Sequence, residues 1–388
     1  LPTSGSVVSG SAAISAPSAT SVLITQTSRN AIINWGSFSV GAGNAVRFEN
    51  GSGATLNRVT GLSPSQIDGS LSATGSVYLV NPNGITVGPT GQVTTGGSFI
   101  ASTHDVSDAE FNAGGAMTFR GSSTASVINY GSIGSLGGDV ALIARKVENA
   151  GTLTAPNGTV GLAAGYEVLV RDAALSDGKF VVKVGGGDTE AKTTGVIKAA
   201  EAELKANGGN VYALAGNTES LTKATGVASK GGRIFLTAGN GGNVTVTQKL
   251  SARAAASNGK AKGGEIRVSG GTVKVSGKLD AKGEGDAGGT IVVTGRDIQL
   301  AAGADLDASG ATGGLVLVGG DYQGGKDATT KYLAEDVATA ATTTVDTGAS
   351  IRVDGTAGAG GRAVVWSDGT TRFDGTISAT ATGTAAGG

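Results

Sequence analysis

The chain has 388 residues, 69 of them Gly and 6 Pro, with a formal net charge of −1 and no Cys. The charge balance leaves no basic footprint for nucleic acid and no polybasic membrane patch. The missing cysteine excludes a disulfide framework, a thiol nucleophile and Cys-ligated zinc, and no run of about 18 apolar residues is available to span a bilayer. Glycine lies far above its usual share of about 7%, without the Gly-X-Y period of collagen. Valine, isoleucine, threonine and alanine fill the gaps between glycines, which is strand and corner chemistry rather than disorder. The length suits two or three ordinary domains or one elongated repeat array, and the composition favours the array. The start at Leu1-Pro2 instead of Met is read as a mature chain whose signal peptide has been removed, or as an engineered start.

From Leu1 to about Val40, short apolar runs (Val7-Val8, Ala12-Ala13-Ile14, Val22 to Thr27, Ala31 to Val40) alternate with Gly, Ser and Pro. A stack of open coils presents an unpaired edge at its end, so residues 1–40 are predicted to form an N-terminal β cap, with Trp35 and Phe38 as its packing residues. Next come Ala45 to Phe48, Ala54 to Val59, Gln66 to Leu71 and a sharper signal: strand Val77-Tyr78-Leu79-Val80, corner Asn81-Pro82-Asn83-Gly84, strand Ile85-Thr86-Val87. Proline suits the second position of a turn, and Asn83 and Gly84 are able to take left-handed conformations, so backbone chemistry alone explains the corner. No Lys precedes Lys146 and every Pro lies at or before Pro156, which marks the N-terminal third as compositionally distinct.

From Ser126 the chain repeats openly, Val127 to Ile133 being echoed by Val147 to Leu153. Val168 to Val184 reads as a hairpin leaving the stack around Ser176-Asp177-Gly178. The clearest unit starts at Gly263-Gly264 and recurs 25 residues later at Gly288-Gly289. A third copy at Gly313-Gly314 is interrupted by an insertion at about 321–344, in which Thr330 to Ala340 is the one good helical candidate. The pattern resumes at Ala349-Ser350-Ile351.

Each unit places apolar residues at i and i+2, on one face of a strand, and a single unit cannot bury that face. Winding successive units into coils about 4.8 Å apart pairs parallel strands and stacks the apolar columns inside. The fold predicted is therefore all-β: a right-handed parallel β-helix, the hand taken by analogy with crossover connections. A propeller needs about 40 residues per blade and a sandwich needs closer turns, so both fit less well.

Sites of chemistry are sparse. His104 is the sole histidine, beside Asp105, with no nucleophile motif assigned to it, and is read as structural or surface. Asp305 and Asp307 share a strand face and are read as solvated. Gly185-Gly186-Gly187-Asp188 resembles one fragment of a calcium-binding repeat, without the tandem copies such sites need. No catalytic residue, metal site or cofactor is expected, and the chain is read as not an enzyme.

Several blocks, in order, resemble the two-partner-secretion (TPS) domain of filamentous-haemagglutinin-like exoproteins: Gly10 to Ile14, Ala31 to Phe38, Leu56 to Gly61 and, most specifically, Asn81-Pro82-Asn83-Gly84-Ile85. Gly319 to Gly324 and Val365 to Asp368 are similar to the haemagglutinin-type repeats that follow such domains. The resemblance implies a secretion domain over residues 1–250 and a β-helical shaft over 251–388. It implies a Gram-negative protein exported by the Sec route, whose targeting signal, including Asn81, Pro82, Asn83, Gly84 and Ile85, is recognised by the periplasmic domains of an outer-membrane TpsB transporter of the Omp85 type. The product would be a secreted or cell-surface adhesin with an unidentified receptor. The alternatives are the shaft of a contact-dependent toxin or of a haem-acquisition exoprotein and, less favoured, a polysaccharide-degrading enzyme. Where some members carry Asn-Pro-Asn-Leu this chain has Leu56-Asn57-Arg58-Val59, which points to a different branch. The last residues stop where another coil is due, so a longer protein is expected.

Overall fold

A computed structural model describes residues 1–216, 218–227 and 231–388. Two compact units are distinguished, Leu1–Ala199 with Glu203–Asn207, and Ala200–Ala202 with Gly208–Gly388. Each is a parallel β-helix.

In the first unit the end of the stack is closed by antiparallel pairing. Ala12–Ser18 folds back on Ser21–Gln26, and Ser6–Ser9 covers Asn30–Trp35. From there the coil strands pair in parallel, Ser21–Gln26 with Ala45–Glu49 and Asn30–Trp35 with Ala54–Val59. The ladder started by Asn30–Trp35 continues through Ser76–Val80, Phe99–Ser102 and Val140–Ala144.

That ladder is apolar on both faces. Ile33, Val77, Leu79, Phe99 and Leu142 occupy one side, and Ile32, Leu56, Tyr78, Ile100 and Ala141 stack in register on the other; all are buried. Strands covered on both sides read as continuous apolar runs, which is the pattern of Val77 to Val80 and Val140 to Ala144. The outer cover is a short helix, Asp108–Ala113, and a separate antiparallel sheet of Met117–Arg120, Glu167–Leu175 and Gly178–Val184. Phe111, Met117, Phe119, Val168, Val170, Phe180 and Val182 pack on the outward column. The hairpin leaves the coils where the sequence predicts, and it recruits a third strand the sequence reading did not assign.

Charged groups fix this cover. Arg58 bonds the carboxylates of Asp105 (2.8 Å) and Asp108 (2.5 Å) and the carbonyl of Val106 (2.6 Å), which holds the start of the helix. Under the hairpin, the Glu203 carboxylate accepts the backbone N–H groups of Lys179 (2.5 Å) and Phe180 (3.0 Å). Lys205 Nζ lies 2.8 Å from Glu203 and donates to the carbonyls of Phe180 (2.9 Å) and Asp177.

The second unit carries the 25-residue period as register. Glu265–Val275 pairs with Thr290–Leu300 over ten positions, from Glu265 with Thr290 to Val275 with Leu300. The repeated glycine pairs have a steric cause: a Cβ on Gly289 would stand 2.0 Å from the Gly264 carbonyl oxygen, and one on Gly314 2.1 Å from that of Gly289. The insertion leaves after Leu315–Val318 and returns at Thr342–Val345, which pairs in register with 297–300. The helix predicted at Thr330 to Ala340 is not formed; the insertion holds only a 3-10 turn, Tyr322–Gly325. The buried Asp321 carboxylate takes the N–H groups of Tyr322, Tyr332 and Leu333, and the Asp327 carbonyl takes those of Thr330 and Lys331. The amides that would start a helix are thereby tied to other partners.

Candidate functional site

The Asn81–Ile85 corner lies between two strands of the first unit. The Gly84 N–H donates to the Asn81 carbonyl at 3.1 Å, closing a four-residue turn with Pro82 at its second position. Gly84 adopts φ +110, while Asn83 keeps a negative φ; only one of the two candidate residues uses the left-handed freedom foreseen for the corner. A side chain at Gly84 would be strained and would bring a Cβ to 3.3 Å from the Ser126 carbonyl oxygen.

Asn81 is wholly buried. Its Oδ1 accepts from the backbone N–H (2.9 Å) and Nδ2 (3.0 Å) of Asn83. Its Nδ2 donates to the Ser63 carbonyl (3.0 Å) and to Ser65 Oγ (2.9 Å) on the preceding coil. Asn83 Nδ2 also reaches the Gly61 carbonyl at 2.9 Å. On the other side, Ser123 Oγ donates to the Pro82 carbonyl at 2.6 Å. Ile85 sits in the ladder between Ser65 and Val127. The two asparagines thus bind one coil corner to its neighbour; Pro82 is exposed on the first, and Leu62, which lies between the bonded Gly61 and Ser63 on the second, is 91% exposed. Ser63, Ser65 and Ser123 were not singled out in the sequence, and Gly61 only as the end of the Leu56 to Gly61 block; nothing in their local pattern identifies them as partners.

Trp35 and Phe38 are buried edge to face, centroids 5.5 Å apart. The Trp35 indole donates to Asn57 Oδ1 at 2.9 Å, and a Cβ at Gly5 would meet the indole ring at 2.6 Å. Asn57, which stands in the block that departs from Asn-Pro-Asn-Leu, is therefore a buried bridge to that ring.

The remaining candidates resolve into structural roles. His104 is fully buried, its Nε2 bonded to the Gly165 carbonyl at 2.7 Å and its Nδ1 without a partner. Burial pushes the imidazole below its ordinary value, against the opposing bond to Gly165. Asp307 is buried rather than solvated, because Arg352, its ladder partner, bonds it at 2.8 Å and reaches Asp305 at 2.8 Å. Asp188, at the end of the glycine triplet, is exposed and accepts the Tyr166 hydroxyl at 2.5 Å. Among the described residues no helix is long and apolar enough to cross a membrane.

The sequence matches the family described as "TPS secretion domain" over residues 1–246. It is similar to the "Heme/hemopexin-binding protein" of Haemophilus influenzae (strain ATCC 51907 / DSM 11121 / KW20 / Rd), 32% identical over 251 residues, which cover 61% of this chain and 27% of that protein. A second Haemophilus influenzae protein of the same description is 34% identical over 126 residues, 32% of this chain and 14% of its own length. The chain therefore spans far less than half of these curated relatives. Among solved structures, the HMW1 secretion domain from Haemophilus influenzae superposes with a TM-score of 0.71 at 29% identity, covering 98% of this chain and 91% of that one.

Proposed function

Because the chain belongs to the family of TPS secretion domains, we propose that it is the N-terminal secretion-targeting domain and β-helical shaft of a large exoprotein of a Gram-negative bacterium. Residues 1–250 form the secretion domain, with a cap over 1–40 packed by Trp35 and Phe38, and residues 251–388 form the shaft. After Sec export, the periplasmic domains of a TpsB transporter of the Omp85 type receive the chain, and coil-by-coil stacking outside the cell makes retreat unfavourable. The mature protein works at the cell surface or in the medium as an adhesin, and its role is recognition rather than catalysis.

The observation that carries the reading of the site is the burial of Asn81. A targeting motif presented only as a surface would leave this side chain exposed, yet its carboxamide is spent on fixing one coil corner to the one before. The Asn81–Ile85 corner therefore acts on secretion by securing the early coils, while Pro82 and Leu62 are the groups left for a partner to touch. The test is a secretion assay with the cognate transporter, comparing Asn81→Ala/Asn83→Ala with Leu62→Asn/Pro82→Ala. The asparagine pair is expected to lower export together with protease resistance. Export of that variant at the normal rate would refute the targeting role of the corner.

A second reading, haem acquisition by the complete protein, is favoured by the description shared by both curated relatives. It is tested by binding of the full-length exoprotein to haem-loaded hemopexin immobilised on a sensor surface, where absence of binding removes it.

A further inference from the structure

The second unit carries an open groove of about 520 Å3 with no part in the reading above. Three rungs of one parallel ladder set its floor: Thr237 pairs with Ser269, and Ser269 with Thr294. Their half-buried hydroxyls stand in file, one per coil, about 4.8 Å apart. The next rung is Gly270 beside Gly295, so the floor drops to bare backbone beyond the hydroxyls.

One wall is 338–341, the returning limb of the insertion. It is fastened by the Ala340 N–H to the Gly319 carbonyl (2.8 Å), the Ala341 N–H to the Arg296 carbonyl (2.8 Å), and Thr339 Oγ1 to Asp368 (2.7 Å). Asn240, Arg296 and Asp368 line the remaining rim. Within the file Ser269 Oγ approaches Thr237 Oγ1 at a long 3.4 Å. The half-buried Trp366 donates its indole N–H to Asp368 at 3.1 Å, which places a fluorescent ring at the groove's edge.

We propose that this groove binds a linear, uncharged oligosaccharide laid along the coil stack. Hydroxyls and a carboxamide both give and accept hydrogen bonds, which matches a ligand made of hydroxyls, and one protein hydroxyl per coil matches the scale of one sugar ring. Arg296 is already paired with Asp297 at 2.7 Å, and Asp368 adds a carboxylate to the rim, so the rim does not select a polyanion. An extended peptide would need an unpaired strand edge, and the floor strand 265–269 is paired on both sides, to 233–237 and 290–294. A lipid chain would need a deep, enclosed apolar cleft, whereas this groove is open and its apolar surface is glycine backbone, threonine methyls and the methyls of Ala338, Ala340 and Ala341, which suit the C–H faces of sugar rings.

The test is titration of the purified chain with maltohexaose, cellohexaose and chitohexaose, followed by calorimetry and by tryptophan fluorescence. Trp35 is buried in the first unit and supplies a constant background. Saturable binding of at least one hexaose is expected, with a change in Trp366 emission. Ser269→Ala/Thr294→Val removes two hydroxyls with little change of volume and is expected to weaken binding about 10-fold or more, because a site built to hydrogen-bond loses its partners. Thr20→Val, on the first unit, should leave affinity unchanged. The proposal is overturned if no hexaose binds saturably up to about 10 mM, if the double variant binds as tightly as the parent while its circular dichroism is unchanged, or if an extended peptide or heparin binds in the sugar's place.

Discussion

Replacing Asn81 by alanine removes a carboxamide that serves two coils at once, and the structure sets the size of the effect. The donations to Ser63 and Ser65 and the acceptances from Asn83 all disappear. Ser65 is itself buried and its hydroxyl is left without this partner. Solvent compensates part of the loss, since Ser63 is exposed and Asn83 half-exposed. With about 1 kcal/mol per lost bond and a further penalty for a stranded buried group, the local cost is about 2–4 kcal/mol. Hydrogen exchange followed by mass spectrometry on peptides covering residues 61–88 reads this directly. The Ser65 N–H, bonded to the Gly84 carbonyl, is the reporter. At 1.4 kcal/mol per factor of ten, exchange there should accelerate about 30- to 1000-fold, while peptides of the second unit stay unchanged. Acceleration of less than about threefold in the 61–88 peptides would refute the view that this side chain holds the two corners together.

Further outcomes follow from buried charge, titration and capping. Lys205→Met strands the fully buried Glu203 carboxylate and should cost about 3–5 kcal/mol, with part of the loss recovered in Lys205→Met/Glu203→Gln; exchange in peptides covering 167–184 measures it. For His104, burial holds the folded pKa below the ordinary 6.5. The unfolded chain therefore takes up a proton that the folded chain refuses, and stability falls as pH drops through about 6.5. Urea midpoints at pH 7.5 and 5.5 should show a drop that His104→Gln lacks. Burial raises the Asp280 pKa, but its bonds to Lys249 and to the Lys282 N–H outweigh this and hold it below 3.8. Its contribution is present above that value and lost as pH falls below it, so Asp280→Asn should flatten the acid limb of the same curve. Ser107→Ala deletes the cap of the 108–113 helix and should cost about 1 kcal/mol, seen as faster exchange of peptides covering 105–120.

The coil architecture was legible because its causes are local and repeated. Glycine pairs recur where neighbouring corners approach too closely for a Cβ, and alternating apolar residues mark each inward face. The turn at Asn81 to Gly84 and the hairpin tip at Ser176-Asp177-Gly178 announce themselves by composition. What was lost depends on partners one or more coils away. Nothing beside Asn81 says that Ser63 and Ser65 will meet its amide, nor beside Asp307 that Arg352 will enclose it. Thr330 to Ala340 has a helical pattern, but Asp321 takes the amides of Tyr332 and Leu333 first. The helix that does form was marked by Ser107 and Glu110, whose hydroxyl and carboxylate meet at 2.7 Å, a capping box without a following periodic run.

The outward column of Ile32, Leu56, Tyr78 and Ile100 is roofed by side chains that arrive much later in the chain, from Phe111 to Val182. For a polypeptide delivered from its N-terminus, the first coils can close their interiors while that side stays bare. The nascent stack then carries an adhesive seam whose lifetime is set by how fast residues up to Val182 emerge. Under such delivery a pause before the 167–184 hairpin would expose the seam to other chains, and arrival of Phe180 over Gly161 would seal it.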